Sequence, residues 1–281
     1  MTSIALVITA ACSGDDTAVK AGDTDDETTT TVAPPPTTKP PSSAAALVLQ
    51  IRTGGGFVPP ESVFGEIPEF SVYADGRVFV TGPTTMEFPG AALPNLLVGT
   101  IPAADVQDAV KAFKDAGVGQ SADLGRPLVA DAPTTTFTLV DGGRTSTLDA
   151  YALGFDDAPT MSPAQKENRR RLNDLIQQMH KLGAAANGPY KAAAVSVLVR
   201  PYTEPDSGPA PGQATWPLAD LGTGGKEQLG GRCLGFTGAD AERVLAAAGA
   251  ARSNTRWRSG AGTWALSFRP ELPGSQPCAD R

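Results

Sequence analysis

Along the chain, apolar residues alternate with polar ones in several short runs and recur at helical spacing in three longer ones. Leu47 to Arg52 reads as a strand. Phe70 to Ala74 and Arg77 to Thr81 flank Asp75-Gly76, whose tolerance of positive φ predicts a hairpin with a two-residue turn. Val106, Val110 and Phe113 form one stripe of a helix over about 103–116, which Gly117 stops. Thr135–Asp141 and Arg144–Tyr151 predict a second hairpin around Gly142-Gly143. Its register sets Asp141 opposite Arg144 and Phe137 opposite Leu148.

Ser162-Pro163-Ala164-Gln165 has the form of a capping box with proline at the first helical position. The helix it opens runs to about Gly183, with Leu172, Leu175, Ile176, Met179 and Leu182 on one face. Strands are expected over Ala194 to Arg200 and Gly231 to Phe236, separated by a loop rich in Pro and Gly from Pro201 to Pro217. Thr237-Gly238-Ala239-Asp240 reads as another capping box, opening a helix with Val244 and Leu245 inward and Gly249 at its end. A last hairpin pairs Asn254–Arg258 with Thr263–Phe268. The order strand, helix, hairpin therefore occurs twice, at about 96–151 and 231–268. The expected fold class is α+β: two βαββ-like modules with mainly antiparallel sheets, over 44–158 and 189–281, joined by a long central helix in 159–188.

The first 43 residues follow a different logic. Ile4 to Ala11 is a short apolar run, and Thr9-Ala10-Ala11 places small residues directly before Cys12. This resembles the lipobox of bacterial lipoproteins, which implies a signal peptide over 1–12, cleavage before Cys12 and acylation of its sulfur. Thr9 stands where a larger aliphatic residue is usual, and no Lys or Arg precedes Cys12. That shortness places the expected translation start upstream. Residues 13–43 are Thr/Pro-rich and acidic, and have too few large apolar side chains to offset the entropy of ordering, so a disordered stalk is expected. No later apolar run reaches the eighteen or so residues a membrane span needs, which leaves the lipid as the expected anchor.

Charge concentrates in that stalk. Six acids (Asp15, Asp16, Asp23, Asp25, Asp26, Glu27) against Lys20 and Lys39 leave it at −4 of the chain's −7. The body is near neutral, and nucleic acid is not an expected partner. With Cys12 acylated, Cys233 and Cys278 remain as an even pair, and an oxidising exterior favours their disulfide.

Candidate chemistry is sparse. His180 is the sole histidine and falls at the rim of its helix's apolar stripe, so it reads as a surface residue. No catalytic residue, metal ligand set or cofactor motif is expected; Asp156-Asp157 lacks the alternating spacing of a calcium loop. Glu61, Glu66, Glu69 and Glu87 are the acids that a carboxylate-dependent hydrolase of envelope glycan would draw on. Arg169-Arg170-Arg171 reads as a solvated helix face, with Arg169 and Arg171 laying their stems over apolar surface. In the last hairpin, a four-residue loop over 259–262 sets Trp257 opposite Trp264, on one face with Leu266 and Phe268. Arg256, Arg258 and Arg269 then share the other face, a candidate site for an anion or an acidic partner.

Four segments carry a wider likeness: Glu69-Phe70-Ser71-Val72-Tyr73-Ala74-Asp75-Gly76-Arg77-Val78, Ala132-Pro133-Thr134-Thr135-Thr136-Phe137, Val199-Arg200-Pro201-Tyr202 and Trp216-Pro217-Leu218. Here the chain resembles predicted lipoproteins of high-GC Gram-positive bacteria, a group with no assigned activity. The resemblance implies a protein on the outer face of the cytoplasmic membrane, touching it through a lipid only. The expected function is a non-catalytic module that binds an envelope polymer or an exported protein. Small-ligand carriage between the two modules is a further alternative.

Overall fold

In the computed structural model, residues 46–156 and 159–279 are described. Cys12, the stalk and Asp157 lie outside them.

Seven strands form a first, wholly antiparallel sheet: β1 (Leu47–Gly54), β2 (Phe70–Tyr73), β3 (Arg77–Thr81), β4 (Leu96–Thr100), β5 (Thr134–Asp141), β6 (Arg144–Tyr151) and β7 (Gly188–Pro189). Their order is β6-β5-β1-β2-β3-β4-β7. A second sheet holds β8 (Ala194–Pro201), β9 (Gln213–Thr215), β10 (Lys226–Gln228), β11 (Gly231–Thr237), β12 (Arg256–Ser259) and β13 (Gly262–Pro270). Its order is β10-β11-β8-β13-β12-β9, antiparallel except where β9 runs along β12. Helices α1 (Pro60–Gly65), α2 (Ala103–Asp115), α3 (Pro163–Gly183) and α4 (Gly238–Gly249) cover these sheets. The fold is α+β.

The apolar stripes explain the layering. Val106, Val110 and Phe113 of α2 pack with Leu172, Leu175 and Met179 of α3 on Leu49, Ile51, Phe70, Val72, Phe137 and Leu139. The central helix is thus a layer of the first sheet. Its start is the expected capping box: the Gln165 amide donates to Ser162 Oγ, and Ser162 N–H donates to Gln165 Oε1. At Thr237 the second box does not form, because that side chain caps nothing and α4 begins on Gly238.

The strand–helix–hairpin order recurs as β4-α2-β5-β6 and β11-α4-β12-β13, but the sheets take it up differently. In the first sheet the strand after the helix, β5, lies inside and β6 forms the edge. In the second, β12 lies outside β13, which pairs with β8.

The β5–β6 hairpin has the expected register, Asp141 opposite Arg144 and Phe137 opposite Leu148. The β2–β3 hairpin does not close on two residues. Val72 pairs with Val78, which leaves Ala74-Asp75-Gly76 as a three-residue loop. Gly76 N–H bonds to the Tyr73 carbonyl, and Gly76 takes φ +82°, the type I turn plus left-handed residue that such loops favour.

The two sheets are tied through three segments. Helix α1 sets Phe64 against Leu198 and the Cys233–Cys278 pair of the second sheet. Residues 83–95 reach out from the first sheet, where the Ala92 and Ser253 amides bond to the Ala251 and Gly90 carbonyls. After β13 the chain returns: Leu272 packs on Tyr73 and Phe79, and the Tyr73 and Tyr190 hydroxyls donate to the Pro273 and Glu271 carbonyls at 2.9 and 3.0 Å.

Candidate site on the second sheet

Strand alternation divides the second sheet into two chemically different faces. Val195, Val197 and Val199 of β8 join Trp257, Leu266 and Phe268 under α4, with Trp216 packed edge-on to Trp257. Ser196, Leu198 and Arg200 look the other way, toward α1. The last hairpin keeps the expected Trp257–Trp264 pairing, although it closes on Gly260-Ala261 rather than on four residues. Two and four loop residues give the same face pattern, so Arg256 and Arg258 stand opposite the tryptophans as expected.

Arg269 shares that face by register but cannot share a binding surface with them. It is 3% exposed beneath α1, with its guanidinium over the Phe64 ring. Arg269 Nε donates to Glu271 Oε1 at 3.0 Å, and Ser196 Oγ lies within bonding distance of both side chains. The Cys278 amide donates to the same hydroxyl at 2.9 Å. The cause is helix α1, a short element with no periodic signal of its own. A buried charge requires this degree of pairing.

In place of Arg269, Arg200 joins the exposed part of this face. Ala265 of β13 pairs with Arg256 on one side and Arg200 on the other, so the three residues form one cross-strand row. Arg256 is held by Glu204 at 2.9 Å and lies over the Tyr202 ring. Arg200 Nη1 pairs with Glu61 of α1 at 3.0 Å. Its Nε, like that of Arg256, is buried with no hydrogen-bond partner among the described residues.

Arg200 and Glu61 stand on the wall of a cleft of about 740 Å³. Its sides are α1 (Glu61, Ser62) and residues 83–95, and its floor is β13 from Ala265 to Phe268. Val63 of α1 and Met86 and Phe88 of the 83–95 segment are exposed. A groove of about 530 Å³ between α2 and α3 differs in kind. Its Lys111 pairs with Asp115 and its Arg171 with Glu167, one helical turn away in each case. Such pairs describe a solvated helix surface.

The remaining sequence candidates are scattered. Glu87 pairs with Arg252 at 2.7 Å, and Glu66 accepts the Gly55 amide. Of the four glutamates, Glu61 alone lines the cleft. His180 is exposed on α3. Arg170 and Arg171 are solvated and share Glu167, whose carboxyl their hydrogen bonds hold down at about 2. Arg169 departs from the expectation: its head is fully buried. It pairs with Asp156 at 2.6 Å and donates to the Tyr151 and Ala152 carbonyls. The bend after β6 presents those acceptors, and no helical-wheel argument reveals it.

Cys233 and Cys278 are joined in a disulfide with 5.7 Å between Cα atoms. No helix among the described residues is long and apolar enough to cross a membrane. No protein-family model matches the chain, and no curated protein matches it.

Proposed function

We propose that this chain is a lipid-anchored extracytoplasmic binding protein. Cys12 carries the lipid, the Thr/Pro-rich run over 13–43 holds the body away from the membrane, and the cleft between α1, residues 83–95 and β13 takes a component of the envelope or an exported protein. The small residues before Cys12 and the resemblance to predicted lipoproteins of high-GC Gram-positive bacteria support the tether. The Cys233–Cys278 disulfide agrees with an oxidising compartment.

One observation carries the binding reading: the cleft combines about 740 Å³ of space with the partly exposed guanidinium of Arg200 on its wall. A guanidinium at the rim of a cleft favours an incoming acceptor, because it keeps donors beyond those its own partner uses. Hydrolysis by paired carboxylates has less support, since it needs two acids at one cleft and Glu61 is the single glutamate there, paired to Arg200.

The test has two arms. Full-length protein expressed in a high-GC Gram-positive host should incorporate a palmitate analogue, and Cys12→Ser should lose the label; equal labelling would remove the tether. Purified protein should be retained by isolated cell envelopes, and Ser267→Trp, which fills the cleft floor, should cut retention at least fivefold. Retention indifferent to that substitution would exclude the cleft.

A further inference from the structure

The floor of the cleft is a strand that is paired on one side only. β8 accompanies β13 from Trp264 to Pro270, but β12 accompanies it only from Gly262 to Ala265. Over residues 266–270 no strand lies on the second side of β13 among the described residues. Alternation fixes where the main-chain groups point. The Tyr202 amide bonds to the Thr263 carbonyl, and the Glu271 amide to the Ala194 carbonyl. Odd-numbered residues of β13 therefore turn their peptide groups toward β8. Leu266 and Phe268 turn theirs away from it, on the side where the cleft lies.

Both residues line the cleft, yet their side chains belong to the core under α4. What they offer the cleft is main chain. The segment that would otherwise continue β12 is drawn aside, because the Ser253 amide bonds to Gly90 and Ala91 bridges to Arg252. The edge is thereby left on the floor of a cleft that residues 83–95 wall on one side. Natural proteins rarely leave a strand edge open without such management.

A strand edge selects its ligand by chemistry. It pairs with alternating amides and carbonyls at a repeat of roughly 6.8 Å, which an extended polypeptide has and a glycan does not. At the Ala265 end stands Arg200, which lines the cleft and is partly exposed beside Glu61, so a carboxylate that shares its guanidinium is the complementary group there. Ala91, Ala92 and Leu93 on the opposite wall suit small apolar side chains.

We infer that β13 is a docking edge to which an extended segment of an exported protein adds as a strand, with a carboxylate of that segment set against Arg200. This rests on the cleft being the binding site and names what it binds.

The experiment uses the full chain against a displayed random heptapeptide library. Peptides should be enriched on the wild type and not on Ser267→Trp or on Ser62→Trp, a second block placed on the exposed wall. In the enriched peptides, N-methylation of alternate amides should weaken binding roughly tenfold or more, about the worth of one hydrogen bond, while methylation of the intervening amides should not. The Phe268 amide should gain protection from hydrogen exchange in the complex, and Arg200→Ser should remove the preference for a carboxylate. No enrichment over the blocked variants, or peptides indifferent to the methylation pattern, would overturn strand addition. If envelope retention still falls in Ser267→Trp while peptides fail, strand addition alone is lost; if retention is also unaffected, the cleft itself is lost.

Discussion

Two neighbouring arginines on α3 show how far the environment, rather than residue type, sets what a charge does. Arg170 is well exposed and is paired with Glu167 and Asp174 on its own helix. Exposed pairs of this kind contribute little, because water and salt screen them. Arg169 has lost its water altogether and depends on Asp156 for a counter-charge. Asp156→Ala should therefore destabilise the protein by about 2–3 kcal/mol, at the lower end for a buried pair because Asp156 keeps some solvent contact. Arg170→Ala should leave stability essentially unchanged. Urea unfolding of the two variants checks the contrast, and equal midpoints would mean that Arg169 is held by its carbonyl partners alone. The triple-arginine run was legible as a helix face; the acid 13 positions earlier in the chain was not.

At the scale of elements, the most tightly hemmed glycine of the first sheet is Gly99 of β4. A β-carbon there would sit 2.0 Å from the Ala185 carbonyl oxygen, where the chain leaves α3. That obstacle is backbone and cannot rotate aside. Gly99→Ala should cost about 1–3 kcal/mol by overpacking and should loosen the short β7 pairing, seen as faster hydrogen exchange at the Tyr190 amide, which bonds to Leu96. Gly65→Ala, where an added methyl meets open space, should leave stability unchanged or slightly raised. Elements of this kind divide by how local their cause is. The β5–β6 hairpin, α2, α3 and the tryptophan register were readable because a turn residue, a cap or a period specifies each of them within the segment. The β2–β3 loop came out one residue longer, since Asp-Gly serves two- and three-residue loops alike. Helix α1, β7, β9 and β10 are too short to show a period, and their partners place them. The cleft follows the same rule: its walls come from 61–65, 83–95 and 200, and its open edge exists because residues after α4 bond to Gly90 instead of extending β12.

At the scale of the molecule, the chain's last described residues close the second sheet. Cys278 is bonded to Cys233 of β11 across a separation of 45 residues, and its amide holds the Ser196 hydroxyl that the Arg269–Glu271 pair also uses. The same tail carries Leu272 and Pro273 onto Tyr73 and Tyr190 of the first sheet. One covalent bond thus anchors a tail that touches both the buried ion pair and the seam between the sheets. Closing a loop of that length is worth about 4 kcal/mol in the chain-entropy account, and measured values commonly fall lower. Reduction, or Cys233→Ala with Cys278→Ala, should cost about 2–4 kcal/mol by urea unfolding. The loss should exceed that of Tyr73→Phe, which removes the hydroxyl that donates to Pro273 and should cost about 1 kcal/mol. A chain equally stable reduced and oxidised would mean that the tail is held by its packing alone.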